Sequence, residues 1–204
     1  MVLPIVAYGD PVLRKTGEEI GRDYAGLGDL IANMFDTMHN AAGVGLAAPQ
    51  VGKPIRLFIV ETKPFSVRDE EDKDDDEEEF TVEERKLLES FRRVFINAKV
   101  LGETGDEWKY NEGCLSIPKV REDVFRKATV RIQYYDEHFV FYDEVFTGLI
   151  ARVIQHEYDH IEGKLFTDKI SPLRRRMIQR RLNDISKGLV DVKYRMRFPN
   201  MKKF

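Results

Sequence analysis

Apolar and polar positions divide the 204-residue chain into helical and extended stretches. In residues 27–40, LGDLIANMFDTMHN, the residues Leu27, Leu30, Ile31, Met34, Phe35 and Met38 recur at helical spacing and predict a helix with one core-facing side. Residues 148–162, GLIARVIQHEYDHIE, return to that period through Leu149, Val153, Ile154 and Ile161, with Gly163 as the stop. A further helix is predicted over 172–188, with Pro172 in its first turn and Gly188 at its end. Thr81 followed by Glu84 reads as a capping box that opens a short helix over 82–92. The runs 55–60, 94–101, 128–136 and 139–146 are rich in β-branched and aromatic residues and predict strands. Only Glu137 and His138 separate the last two, which predicts a hairpin, and VKYRMRF (192–198) predicts a final strand. Gly9, Asp10 and Pro11 mark a turn. The stretch AAGVGLAAPQVGKP, with its glycines and prolines, predicts an irregular segment that lets backbone approach something closely. Helices and antiparallel strands in this order predict an α+β fold.

The length suits one well-packed core, so residues 1–204 are expected to form a single domain. No apolar run approaches the roughly 20 residues of a membrane helix. The N-terminal stretch through Leu13 lacks the basic start and cleavage site of a signal peptide. The expected compartment is therefore the cytoplasm, with no membrane involved. A lone cysteine, Cys114, cannot form an internal disulfide and fits a reducing compartment. By burial habit alone it would be a small hydrophobic filler.

The net charge of −3 conceals two opposed blocks. Residues 69–79, DEEDKDDDEEE, carry a net −9 between them, which leaves +6 for the rest of the chain. Much of that surplus sits near the C-terminus in Arg174, Arg175, Arg176, Arg180 and Arg181.

The sharpest chemical signal is HEYDH, His156 to His160, inside a predicted helix. Residues four apart share a helix face, so both imidazoles can reach one metal ion. Glu157 stands beside them, placed to move a proton on an activated water. A catalytic site wants three protein ligands and one open position. Downstream of His160 there is no histidine or cysteine, only carboxylates such as Glu162 and Asp168. Upstream, Cys114 offers a soft thiolate. Two readings follow: a hydrolase with a Cys-His-His site, or an endopeptidase that takes its third ligand from downstream.

The segments GVGLAAPQ (43–50), EGCLS (112–116) and QHEYDH (155–160), in this order and with YGDPVLR (8–14), resemble the signature motifs of peptide deformylases. The resemblance covers nearly the whole chain outside an acidic insertion at about 62–81. It implies a compact α+β domain with antiparallel or mixed sheets packed around the HExxH helix. The implied activity is removal of the N-formyl group from the initiator methionine of newly synthesised polypeptides, with release of formate. The implied cofactor is one divalent metal, Fe(II), replaceable by Zn(II), Ni(II) or Co(II), and no other. Carried over residue by residue, Cys114, His156 and His160 hold the metal and Glu157 handles the proton. Gln50 and the backbone N–H of Leu115 donate to the developing formyl oxyanion. Gly45 lets backbone lie beside the peptide, Val44, Tyr110, Leu149 and Val153 form the methionine pocket, and Arg121 holds the peptide backbone or its carboxyl end. Family position also pairs Glu112 with Arg126 behind the metal loop. Arg152 stands where the family often carries an apolar residue, and a solvent-facing turn is the simplest explanation. The acidic insertion, which lengthens the compact family spacing, is expected to be a solvated excursion. The basic helix at about 172–188 suits contact with ribosomal RNA phosphates.

Overall fold

Four consecutive apolar residues, Leu57 to Val60, cannot leave either face of a strand in water. Covering both faces shapes the whole architecture. The computed structural model describes residues 1–66 and 80–201, so the acidic tract at 69–79 lies outside the described residues. The described elements begin with β1 (Ile5–Val6), α1 (Leu27–Asn40), β2 (Gly45–Ala47), β3 (Leu57–Glu61), α2 (Lys63–Ser66) and α3 (Val82–Ser90). They continue with β4 (Arg92–Cys114), β5 (Ile117–Tyr135), β6 (Phe141–Thr147), α4 (Gly148–Ile161), α5 (Pro172–Ser186) and β7 (Met196–Arg197). Strands β2-β3-β4-β5-β6 form one sheet in that order, antiparallel throughout. Separately, β1 and β7 pair in parallel, with Ile5 opposite Met196. The fold is α+β, as expected.

Alternation along β3 sends side chains into two different cores. Phe58 and Val60 join Phe95 and the α4 residues Ile150 and Ile154. Leu57 and Ile59 join Ile96 and the α1 residues Ile31, Met34 and Met38. All six apolar residues that define the α1 stripe are buried. A third core packs the far end of the β4–β5 hairpin, through Val120 and Val124, onto Phe166 and the α5 residues Ile178, Leu182 and Ile185. Helix α4 has a different character: it is buried almost all round, including Arg152, Gln155, Glu157, Asp159 and His160. Those polar groups therefore have to find partners inside the protein.

The sequence pattern finds the strands but underestimates two of them. Expected over 94–101 and 128–136, they run through Arg92–Cys114 and Ile117–Tyr135. In residues 117–127 the inner face mixes the apolar Ile117, Val120 and Val124 with charged residues. Glu122 and Arg126 point inward while Phe125 is 60% exposed, so an alternating strand reads as a polar loop. Glu122 tolerates its position because Arg174 of α5 donates to it at 2.8 Å. Much of 102–111 is exposed and carries no apolar signature; its order comes from the ladder with β5, which register shifts interrupt repeatedly.

Other boundaries move for local reasons. Thr81 and Glu84 form the expected capping box, but α3 stops at Ser90 because Arg92 already belongs to β4. The strand expected from 55 begins at Leu57, since Ile55 makes an isolated bridge to Glu18. The β5–β6 turn is wider than Glu137-His138: Asp136 Oδ1 accepts from both His138 N (2.8 Å) and Val140 N (2.9 Å). The helix expected to reach 188 ends at Ser186, and Gly188 takes a left-handed φ of +77°. Of the strand expected over 192–198, only Met196 and Arg197 pair. Burial still alternates there, with Val192, Tyr194, Met196 and Phe198 half-buried between exposed neighbours. No helix among the described residues is long and apolar enough to cross a membrane.

Phe95 is fully buried, stacked on Phe58 at 4.6 Å between ring centres and packed on Tyr134 at 4.3 Å. Phe95→Ala is expected to cost about 3–5 kcal/mol, read as a lowered denaturant midpoint with an unchanged slope.

Candidate metal centre

Two elements meet at the centre. Cys114 pairs with Ile117, so Leu115 and Ser116 form a tight turn at the tip of the β4–β5 hairpin. Helix α4 presents His156 and His160 one turn apart, with ring centres 5.2 Å from each other. The ligand atoms of Cys114, His156 and His160 all lie within 4.8 Å of one another, the one such cluster among the described residues. Cys114 Sγ is 3.3 Å from His160 Nε2. Neither Glu162 nor Asp168 joins this cluster. Each has a cation instead: Arg56 for Glu162, Arg14 for Asp168.

A buried carboxylate fixes the orientation of His156. Glu112 lies two residues before Cys114 and is 3% exposed. Its Oε2 faces His156 Nδ1 at 2.9 Å. An ionised carboxylate can only accept, so Nδ1 carries a proton and Nε2 is the ring nitrogen left to face a metal. Arg126 donates to Glu112 through Nε (2.7 Å) and Nη2 (3.0 Å), and its Nη1 reaches Asp159 of α4 at 2.6 Å. Burial disfavours charge on Glu112, but the hydrogen bonds from His156 and Arg126 outweigh it and hold the carboxyl well below its usual range. The Glu112–Arg126 pair drawn from family position is thus present, and fully buried.

Arg152 corrects an expectation. It does not occupy a solvent-facing turn but is 2% exposed within α4. Its Nη1 donates to Glu112 at 3.0 Å and its Nη2 to the Trp108 carbonyl at 2.6 Å, while the guanidinium lies 4.3 Å from the centre of the Trp108 ring. A charge can replace an apolar side chain here because Glu112 neutralises it and the indole face covers it.

Glu157 is buried, and its Oε2 has no protein partner. Burial pushes it up to about 7. Gly45 of β2 makes room for it: a Cβ on Gly45 would stand 2.5 Å from Glu157 Oε1. The close approach expected of the GVGLAAPQ segment is therefore made, in part, to the glutamate of α4. Gln50, 2% exposed, accepts from Ala47 N at 2.8 Å. That bond aims its Nε2 at Cys114 Sγ and Ser116 Oγ, each at 3.4 Å.

A cleft of about 650 Å³ opens over these groups, lined by Val44, Gly45, Tyr110, Arg121, Val153 and Leu115 among others. Leu149 does not line it; that side chain sits in the core around Phe58 and Phe95. Arg121 reaches across Gly113 to Asn111, donating to its Oδ1 at 2.8 Å. The sequence reading missed Phe65 and residues 191–194 as cleft lining. Phe65 is a lone aromatic beside the acidic tract, and 191–194 follow a helix end, so neither carried a signal of its own.

Removing the cation from this network should be costly. Arg126→Met leaves Glu112 and Asp159 facing each other without their shared cation, with an expected loss of about 3–5 kcal/mol in metal-free protein, measured by denaturant unfolding.

The polypeptide deformylase family model matches residues 2–176. A peptide deformylase of Flavobacterium johnsoniae is 60% identical over 203 residues, covering 100% of this chain and 99% of that one. One from Cytophaga hutchinsonii is 48% identical over 99% of this chain and 100% of the other. Among solved structures, a peptide deformylase from Legionella pneumophila superposes with a TM-score of 0.73 at 33% identity, over 93% of this chain and 98% of that one. One from Plasmodium falciparum gives a TM-score of 0.74 at 31% identity, over 90% and 95% of the two chains. With its motifs gathered around one metal-binding cluster, the chain belongs to the polypeptide deformylase family.

Proposed function

We propose that Cys114, His156 and His160 hold one divalent ion and that Glu157, Gln50 and the Leu115 N–H act on the substrate bound beside it. As a member of its family, the protein is a hydrolase that removes the N-formyl group from newly made polypeptides. The observation that carries the assignment of roles is Glu157 Oε2, a buried oxygen without a protein partner in the same cleft as the Cys-His-His cluster.

A thiolate and two imidazoles suit a borderline transition metal. We assign Fe(II) as the physiological ion, with Zn(II), Ni(II) or Co(II) as substitutes. Held by these residues, such an ion would acidify a water enough to supply hydroxide near neutral pH. Glu157, raised toward neutrality by burial, accepts the proton of the attacking water and returns it to the leaving amine. Gln50 Nε2 and the Leu115 N–H donate to the formyl oxygen as it gains charge. Val44, Tyr110 and Val153, with Phe65, form the wall for the methionine side chain, and Leu149 supports that wall from the core. Arg121 faces the peptide beyond the first residue.

The chain acts as one catalytic domain in the cytoplasm, where nascent chains are made; of the insertion expected at about 62–81, Thr62 and Phe65 are buried rather than solvated, and the acidic tract at 69–79 lies outside the described residues. We further propose that α5 meets ribosomal RNA. Arg174 and Arg175 are engaged with Glu122 and Asp168. Arg176, Arg180 and Arg181 are exposed and form no ion pair among the described residues, which leaves them for phosphates.

Formate release from a formyl-Met peptide by anaerobically purified protein tests the central reading. Activity should vanish on chelation and return with Fe(II) or Ni(II); in air the Fe(II) form should decay and the Ni(II) form persist. Glu157→Gln should lower kcat by about 10²–10⁴-fold while metal content stays at one per chain. Cys114→Ala should lose the metal. Activity that survives both chelation and the Glu157 substitution overturns the mechanism, and metal retained by Cys114→Ala restores the endopeptidase alternative. Reversing Arg176, Arg180 and Arg181 to Glu should weaken ribosome cosedimentation and flatten its log–log salt slope by about 1 per arginine; unchanged binding would remove α5 from the proposal.

A further inference from the structure

We propose that Tyr194, carried on the C-terminal strap, is a positioning residue for the turn that bears Cys114 and Leu115. The inference rests on the assignment of that turn to the reaction, given above.

The turn sits at the end of two long strands, yet the ladder does little to fix it. The pair Cys114–Ile117 closes the turn, and the next pair is Gly113–Arg121. Residues 118–120 of β5 are skipped between them, with Lys119 at a left-handed φ of +59°. A ladder interrupted this close to its end leaves the tip free to rock unless other groups hold it.

Three groups do. Tyr8 N donates to the Ser116 carbonyl at 2.8 Å. Gln50 Nε2 lies 3.4 Å from both Ser116 Oγ and Cys114 Sγ. Tyr194 Oη donates to the Leu115 carbonyl at 2.7 Å, the shortest of these contacts. It comes from a segment outside the motifs that supply the metal ligands.

Leu115 is thereby held from two sides. Its side chain packs against Gly43, where an added Cβ would come within 2.8 Å of Leu115 Cδ1. Its carbonyl is tied to Tyr194. With both fixed, little freedom remains for the direction of its N–H. The strap is itself anchored independently of the turn: Ile5 N donates to Arg195 O and Ala7 N to Arg197 O, both at 2.9 Å. Residues 191–194 also line the cleft, so the tail of the chain forms one wall of the site as well as its brace.

The protein contains its own reporters for a test. The Tyr8 N–H reads the turn, and the Ile5 and Ala7 N–H groups read the anchorage of the strap. In metal-free Tyr194→Phe, exchange of the Tyr8 amide should accelerate about tenfold, the scale of one lost hydrogen bond, while Ile5 and Ala7 keep their rates. In the Fe(II)- or Ni(II)-loaded variant, kcat should fall about tenfold with KM unchanged. Unaltered Tyr8 exchange together with unaltered kcat overturns the inference. So does faster exchange at Ile5 and Ala7, which would make Tyr194 an anchor of the strap and nothing more. A wild-type protein that releases no formate would instead sink the assignment of the turn, and the exchange measurement on metal-free protein keeps the two failures apart.

Discussion

The carboxylate of Glu112 is the point on which the site depends. It is buried, and a buried charge is tolerated only when its lone pairs are used and its charge is balanced. Arg126, Arg152 and His156 together meet that demand. These partners come from β5 and α4, while Glu112 itself belongs to β4 next to Cys114. One carboxylate therefore ties the strand that carries Cys114 to the helix that carries the imidazoles. It also decides which nitrogen of His156 is free to bind a metal.

The burial of α4 has a second consequence. A helix covered on nearly every side removes water from its polar residues, and each responds according to its partners. Asp159 is held by Arg126 and Gln155 by Glu103, so both serve to lock the helix in place. Glu157 receives no donor at Oε2, and desolvation raises its pKa to about 7. The same buried helix thus holds one acidic residue in an ion pair and leaves another without a donor. Gly45 belongs to this arrangement, because any side chain there would occupy the space of the glutamate.

Charge inside the protein also explains where hydropathy misleads. Glu122, Arg126 and Arg152 are all buried, each with a named partner from another element. Read from sequence, such residues mark loops and surfaces. Here they mark the inner faces of β5 and α4, which is why β5 looked shorter than it is and Arg152 looked exposed.

The sequence by itself determined the α1 stripe, the α4 helix with its two histidines, the Thr81 capping box and the family. Each is written in local spacing, over a window of a few turns or a short motif. Cys114 was legible as a candidate ligand because no histidine or cysteine follows His160, only carboxylates, and because EGCLS resembles a motif of the family. The tertiary structure decided what local spacing cannot carry: that Glu112 collects two arginines and a histidine, that Gly45 yields to Glu157, and that Tyr194 reaches Leu115 across 79 residues of chain. These are pairings between segments far apart in sequence. Their energies depend on mutual burial, and burial exists only once the sheet, the central helix and the C-terminal strap have come together.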